Sequence, residues 1–144
     1  MGVVLGVLLA SVFAVLSLTH VYWAMGGQHG KAAAVPQVDG VATFRPSRAG
    51  TLLVAVALMG AAALLGALAG VLPTPVPHWI LAFAAIGLAL VLLARAIGDF
   101  KLVGFFKRPN GSRFARLDTL FYSPLCLVLG IGVASLMWIE RSSL

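Results

Sequence analysis

Five side chains able to do chemistry fall in or beside strongly apolar stretches of this sequence: His20, Arg95, Asp99, Asp118 and Tyr122. Ionisable groups in such places are costly, so each invites a functional reading. Arg95 can hold a negative charge, His20 and Tyr122 can supply hydrogen bonds, and His20 can exchange a proton near neutral pH. Asp99 follows Arg95 by four residues and Asp118 precedes Tyr122 by four, a spacing that puts each pair on one helix face. With Tyr22 and Trp23 beside His20, the candidate ligand-binding set is His20, Tyr22, Trp23, Arg95, Asp99, Asp118 and Tyr122. The expected chemistry is a pocket for a lipid head group or a small anionic amphiphile. Two rival uses stand beside it: a membrane enzyme acting on a lipid or isoprenoid with His20 and an aspartate as acid and base, and an interaction subunit of a larger complex. A purely structural use also fits, in which Arg95 pairs with Asp99 or Asp118 to fix helix register and His20 donates to a carbonyl.

Much other chemistry is excluded. The single cysteine, Cys126, forms no intrachain disulfide and no CxxC pair. A metal site needs three or four converging ligands, and His20, His29 and Asp118 match no ligand spacing. No nucleophile elbow, phosphate loop, dinucleotide fingerprint or HExxH occurs. No catalytic residue, metal or cofactor is therefore assigned, and the reading leans away from an enzyme.

These residues must be positioned by membrane helices. Of 144 residues 61% are hydrophobic and 10% charged, against about 25% charged in a soluble domain; mean hydropathy is +1.06. Residues 1–30 lack Lys, Arg, Asp and Glu, and Val3 to Met25 reaches the roughly 20 apolar residues that cross a bilayer. The run is too long, and too bare of basic residues in front, for a cleaved signal peptide. A second uncharged stretch, Ala49 to Ala94, is divided by Pro73, Pro75 and Pro77, which no helix continues through. The fourth lies between Leu117 and Ile139. The expected architecture is all-α: one transmembrane domain over residues 1–144, an integral membrane four-helix bundle with spans at about 3–25, 50–72, 78–100 and 117–139.

The basic residues set the expected orientation. Lys31, Arg45 and Arg48 follow span one; Arg95, Lys101, Lys107, Arg108, Arg113 and Arg116 end or follow span three; only Arg141 lies on the other side. The positive-inside rule makes the loaded side cytoplasmic and both termini non-cytoplasmic. Trp79 and Trp138 mark one boundary, Tyr22 and Trp23 the other. His20, Arg95 and Tyr122 then lie at similar depth in the cytoplasmic half.

Small residues at four-residue spacing, Ala62, Gly66 and Gly70 in span two and Cys126, Gly130 and Ala134 in span four, permit close helix approach. They serve the interior of one bundle, with a homo-oligomer seam as the alternative. In span four the line Asp118, Tyr122, Cys126, Gly130, Ala134 is expected to point inward, and in span one Phe13, Ser17, His20, Ala24. After span three, Phe100, Phe105 and Phe106 interleave with Lys101, Lys107 and Arg108. That pattern fits an inner-leaflet surface rich in anionic lipid and not nucleic acid, since each phenylalanine has a nearer use in the interface.

With these residues in view, the chain resembles a bacterial family of small four-span membrane proteins known only as a domain of unknown function. The resemblance is carried by His20-Val21-Tyr22-Trp23-Ala24-Met25-Gly26-Gly27, Arg95-Ala96-Ile97-Gly98-Asp99-Phe100, and Phe114-Ala115-Arg116-Leu117-Asp118-Thr119 with Tyr122-Ser123-Pro124-Leu125-Cys126. It covers nearly the whole length. It implies the fold and a bacterial inner membrane, and names no activity.

Overall fold

Four long apolar helices form the molecule, as the hydropathy pattern requires. The structure, a computed structural model, describes residues 1–141. Helix α1 is Gly2–Ala24, α2 is Arg48–Leu68 and α3 is His78–Ile97. The fourth rod, Arg113–Glu140, is continuous over 28 residues and comprises α4 (Arg113–Leu117), a π-helical turn (Asp118–Tyr122) and α5 (Ser123–Glu140). All four rods are long and apolar enough to cross a membrane. Their outer faces carry exposed Val4, Leu8, Leu53, Phe83, Leu90, Phe121 and Ile131. Such helices, apolar outside as well as inside, suit hydrocarbon rather than water.

Local chemistry fixes where each helix stops. Ser47 caps α2, its Oγ accepting from the Gly50 amide at 3.0 Å, and Ser112 caps α4, its Oγ accepting from Ala115 at 3.1 Å. Gly70 at φ +71 and Gly98 at φ +95 adopt backbone that glycine tolerates best, just past the ends of α2 and α3. Span two therefore ends at Leu68 rather than Leu72, and span three at Ile97 rather than Phe100. Span four begins at Arg113, a turn earlier than expected.

Helix α1 packs along α2 and α3 along α5; these two hairpins join through α1–α5 and α2–α3 contacts. Phe13, Leu65, Ala85, Val133 and Leu136 fill the centre. Gly130 lies against Leu92 and Leu93, so the α3–α5 seam uses the close approach expected of it. Gly66 is also buried, yet the side chain against it is Leu72 from the turn that follows its own helix, and Gly70 lies beyond the helix. Ser17 is fully enclosed and donates to the Ala55 carbonyl at 2.7 Å, tying α1 to α2 with a bond that hydrocarbon cannot replace.

Two loops close the end of the bundle opposite the termini. Residues 25–47 carry a 3-10 turn (Lys31–Ala34) and a two-stranded hairpin, β1 (Gln37–Val38) paired with β2 (Val41–Ala42). Its turn residues Asp39 and Gly40 both have positive φ, the backbone that an Asp-Gly hairpin turn uses. Residues 98–112 fold back on the end of α3, Phe105 donating to the Ala96 carbonyl at 2.8 Å. The fourth rod reaches the first of these loops where Tyr122 Oη donates to the Ala33 carbonyl at 3.2 Å. At the other end Gly2 abuts Ile139 and Glu140, as four crossings require.

Candidate functional site

The polar residues collect into two neighbouring constellations rather than one belt. The first is centred on Asp118, which is completely buried. Its Oδ1 accepts from Arg95 Nη2 at 2.7 Å. Its Oδ2 accepts from the Gly104 amide at 2.7 Å, Lys107 Nζ at 3.0 Å and Ser123 Oγ at 3.3 Å. Lys107 Nζ also donates to the Gly104 carbonyl at 3.0 Å and to Thr119 Oγ1 at 2.6 Å, so its three hydrogens all have acceptors. Two cations thus share one carboxylate that is itself fully enclosed. Arg95 Nη1 is buried too and has no hydrogen-bond partner among the described residues.

The π turn makes this geometry possible. A regular helix would bring Asp118 and Tyr122 onto one line. The wider turn puts Asp118 and Ser123, five residues apart, on the buried side, both fully enclosed. The inward line in the fourth rod accordingly runs Asp118, Ser123, Leu129 or Gly130, Val133, Leu136, while Ala134 is exposed. In α1 the expected line holds: Phe13, Ser17 and Ala24 are buried and His20 is half-buried.

Asp99 does not share a helix face with Arg95, because the helix stops two residues before it. Its Oδ1 instead accepts from the amides of Lys101, Leu102 and Val103 at 2.9, 2.7 and 3.1 Å. Those three amides, Leu102 foremost, hold its carboxyl below the usual carboxylate range. Of the two structural pairings open to Arg95, Asp118 is the one formed. Arg95 is therefore committed to a carboxylate already.

The second constellation is a cavity of about 510 Å³ between the C-terminal turns of α1, the 3-10 turn and the start of α2. His20 and Trp23 line it from α1, Lys31, Ala34 and Val35 from the 3-10 turn, and Phe44, Arg45 and Pro46 from the segment leading into α2. Ser47, Gly50, Thr51 and Val54 complete the wall. Neither Lys31 nor Arg45 forms an ion pair with a described residue. His20 Nδ1 lies 2.8 Å from the Leu16 carbonyl; since a carbonyl only accepts, Nδ1 carries the proton and neutral His20 keeps Nε2 as a free acceptor. Trp23 meets the His20 ring edge-on with centroids 5.0 Å apart, and its Nε1 donates to the His29 carbonyl at 2.8 Å. No carboxylate among the described residues bonds His20, so the acid–base pair an enzymatic reading needs is not assembled.

Of the expected set, His20 and Trp23 line the cavity, while Arg95 and Asp118 form the buried hub. Tyr122 joins the two, since the turn it grips at Ala33 carries Lys31 and Ala34 into the cavity wall. Tyr22 is half-exposed and packs over Gly27 outside the cavity, and Asp99 serves the loop. Lys107, expected at the lipid surface, is turned inward with 6% of its side chain exposed, whereas Lys101 and Arg108 stay on the surface. No local sequence signal marks Gly104, Lys107 and Ser123 for the hub, or Lys31, Arg45, Ser47 and Thr51 for the cavity; tertiary folding alone gives them these roles. Among the described residues no group of three or more His, Cys, Asp or Glu is placed to hold a metal.

Four apolar rods with a charge hub sealed into one end define a multi-pass membrane protein. The family model described as a protein of unknown function (DUF3995) matches residues 13–133, and the chain belongs to that family. No curated protein and no solved structure matches it.

Proposed function

We propose that the protein binds an anionic amphiphile, such as a lipid through its head group, in the cavity between α1 and α2, without catalysing a reaction on it. The observation that carries this reading is the coincidence of two cations without a described ion-pair partner, Lys31 and Arg45, with an apolar wall that runs out to half-exposed Val54 on the outer face of α2. The volume of about 510 Å³ falls in the usual range of small-molecule sites, roughly 300–1,000 Å³. A phosphate or carboxylate sits between Lys31 and Arg45, His20 Nε2 accepts from a head-group hydroxyl, and an acyl chain leaves past Val54 along the bundle. Trp23 and Phe44 supply the amphipathic contacts that interfacial aromatics favour.

The end bearing the basic loops is, on the same reading, the cytoplasmic end of a protein in a bacterial inner membrane, with both termini outside, because nine of the ten Lys and Arg lie there. A C-terminal reporter fluorescent only in the cytosol should stay dark.

The test is photocrosslinking of the purified full-length chain, reconstituted with a photoactivatable phosphatidylglycerol or its phosphatidylcholine counterpart. The anionic probe should label peptides spanning residues 31–54 several-fold more strongly, and Lys31→Gln with Arg45→Gln should abolish the difference. Inorganic phosphate in excess separates the sources: competition at millimolar levels means that phosphate alone is the ligand. Equal labelling by both lipids, unchanged in the double variant, would refute the reading.

A further inference from the structure

We infer that the loop 98–108 and the first turns of the fourth rod form a preshaped surface that binds the anionic head-group layer of the bilayer, separately from the α1–α2 cavity. Three observations converge on it. First, the surface presents an excess of unpaired cations. Lys101, Arg108, Arg113 and Arg116 are on the surface, and none of them pairs with a described carboxylate. Of the two acids of the region, Asp118 is taken by Arg95 and Lys107 inside the bundle, and exposed Asp99, turned to three backbone amides, sets one negative charge against these four cations.

Second, the same surface is aromatic where it continues the lipid-facing wall. Phe100 and Phe106 are 61% and 66% exposed, with their rings 6.4 Å apart, close in the chain to exposed Ile97. Leu120 and Phe121 continue this apolar exposure on the fourth rod. Basic and aromatic residues side by side at the end of a span match the chemistry of a head-group interface.

Third, the loop is held in shape from within. Asp118 grips the Gly104 amide and Lys107, and Asp99 gathers the amides of Lys101, Leu102 and Val103. Phe100 adopts φ +62, a strained conformation for a bulky residue, and its side chain is outside rather than packed in the core. A groove of about 460 Å³ lies alongside, where exposed Arg116 stands beside Thr119 and Leu120. A cation beside apolar side chains suits one phospholipid head group and the start of its chains.

Spin-labelled lipids test this in vesicles containing the full-length chain. Spin-labelled phosphatidylglycerol should be held at the protein boundary over phosphatidylcholine by about fivefold per engaged cation, less at high salt. Lys101→Gln, Arg108→Gln, Arg113→Gln and Arg116→Gln together should bring the preference close to unity with the melting temperature kept. Lys31→Gln with Arg45→Gln should leave most of it, so the two sites fail independently. A nitroxide on Phe106→Cys in a Cys126→Ala background should collide with oxygen more than with an aqueous nickel chelate. Retained preference in the quadruple variant, water exposure of the nitroxide, or dipolar coupling showing a second copy on this face would each overturn the inference.

Discussion

Arg95 and Asp118, 23 residues apart in sequence, meet at 2.7 Å with the carboxylate wholly enclosed. That contact joins α3 to the fourth rod near the end of the bundle that carries the two loops. Lys107 closes on the other oxygen, so the pair also fastens the intervening loop. Removing one member of a buried charge cluster leaves the others uncompensated, at a cost of about 3–5 kcal/mol. Asp118→Asn keeps the shape and removes the charge. It should lower the melting temperature in detergent sharply, whereas Arg95→Met should cost less, because Arg95 is one-third exposed and Lys107 would remain paired. Equal melting of wild type and Asp118→Asn would contradict a stabilising role.

Asp99 gives a pH prediction. Its folded carboxyl titrates below the ordinary value of 3.8, so it contributes stability fully above that value and loses it as pH falls through the lower folded one. The protection factors of the Lys101, Leu102 and Val103 amides, taken relative to intrinsic exchange at each pH, should hold from neutrality to about pH 5 and fall only under stronger acid. Asp99→Asn keeps an acceptor oxygen and should retain part of the protection at all pH, while Asp99→Ala should lose it throughout.

Gly98 and Gly104 lie back to back, and a Cβ on either would collide with the other's backbone or with Val103. Both also have positive φ. Gly104→Ala should therefore cost more than about 2 kcal/mol, crowding and conformation together, and should release the amide from Asp118. Gly111→Ala meets no neighbour and should fall within about 0.5 kcal/mol of wild type. Thermal melts of the two variants in parallel make the comparison.

Tyr122→Phe removes one hydroxyl from the Ala33 carbonyl and should cost about 1 kcal/mol. Its more telling effect is expected on binding: the 3-10 turn that carries Lys31 loses a tether, and crosslinking of the anionic lipid within residues 31–54 should fall. Unchanged crosslinking would mean that the turn is held by other contacts, such as buried Ala33 and Val35.

The four rods were legible because lipid imposes a one-dimensional code: about 20 apolar residues, a break at Pro73–Pro77, and basic residues gathered in two loops. The hub was half legible. Arg95 and Asp118 stood out as charges in apolar surroundings, yet nothing local chooses Asp118 over Asp99; that choice depends on Gly98 ending α3 before Asp99 and on the loop folding back. Lys107 looked like a surface cation because its inward turn depends on the same tertiary fold. The cavity's cations were visible as loop residues only, their convergence on His20 being set by an irregular path from Gly26 to Ser47. The Asp39-Gly40 dipeptide is itself a local hairpin signal, the kind of pair whose backbone adopts positive φ between two strands.

The π turn at Asp118–Tyr122 lets one rod obey two angular phases. Its upper part follows the packing of α3, and its lower part presents a carboxylate to a loop. Relaxing that turn to a regular α-helix with every residue kept would swing the lower part by about 100°, carrying the acid away from both of its cations, whereas loss of one residue between 119 and 122 would leave Asp118 in line with Ser123 as an ordinary i, i+4 pair. A relative one residue shorter between Asp118 and Ser123 should therefore keep the buried pair on a plain helix, and that shortening would be the mark to seek.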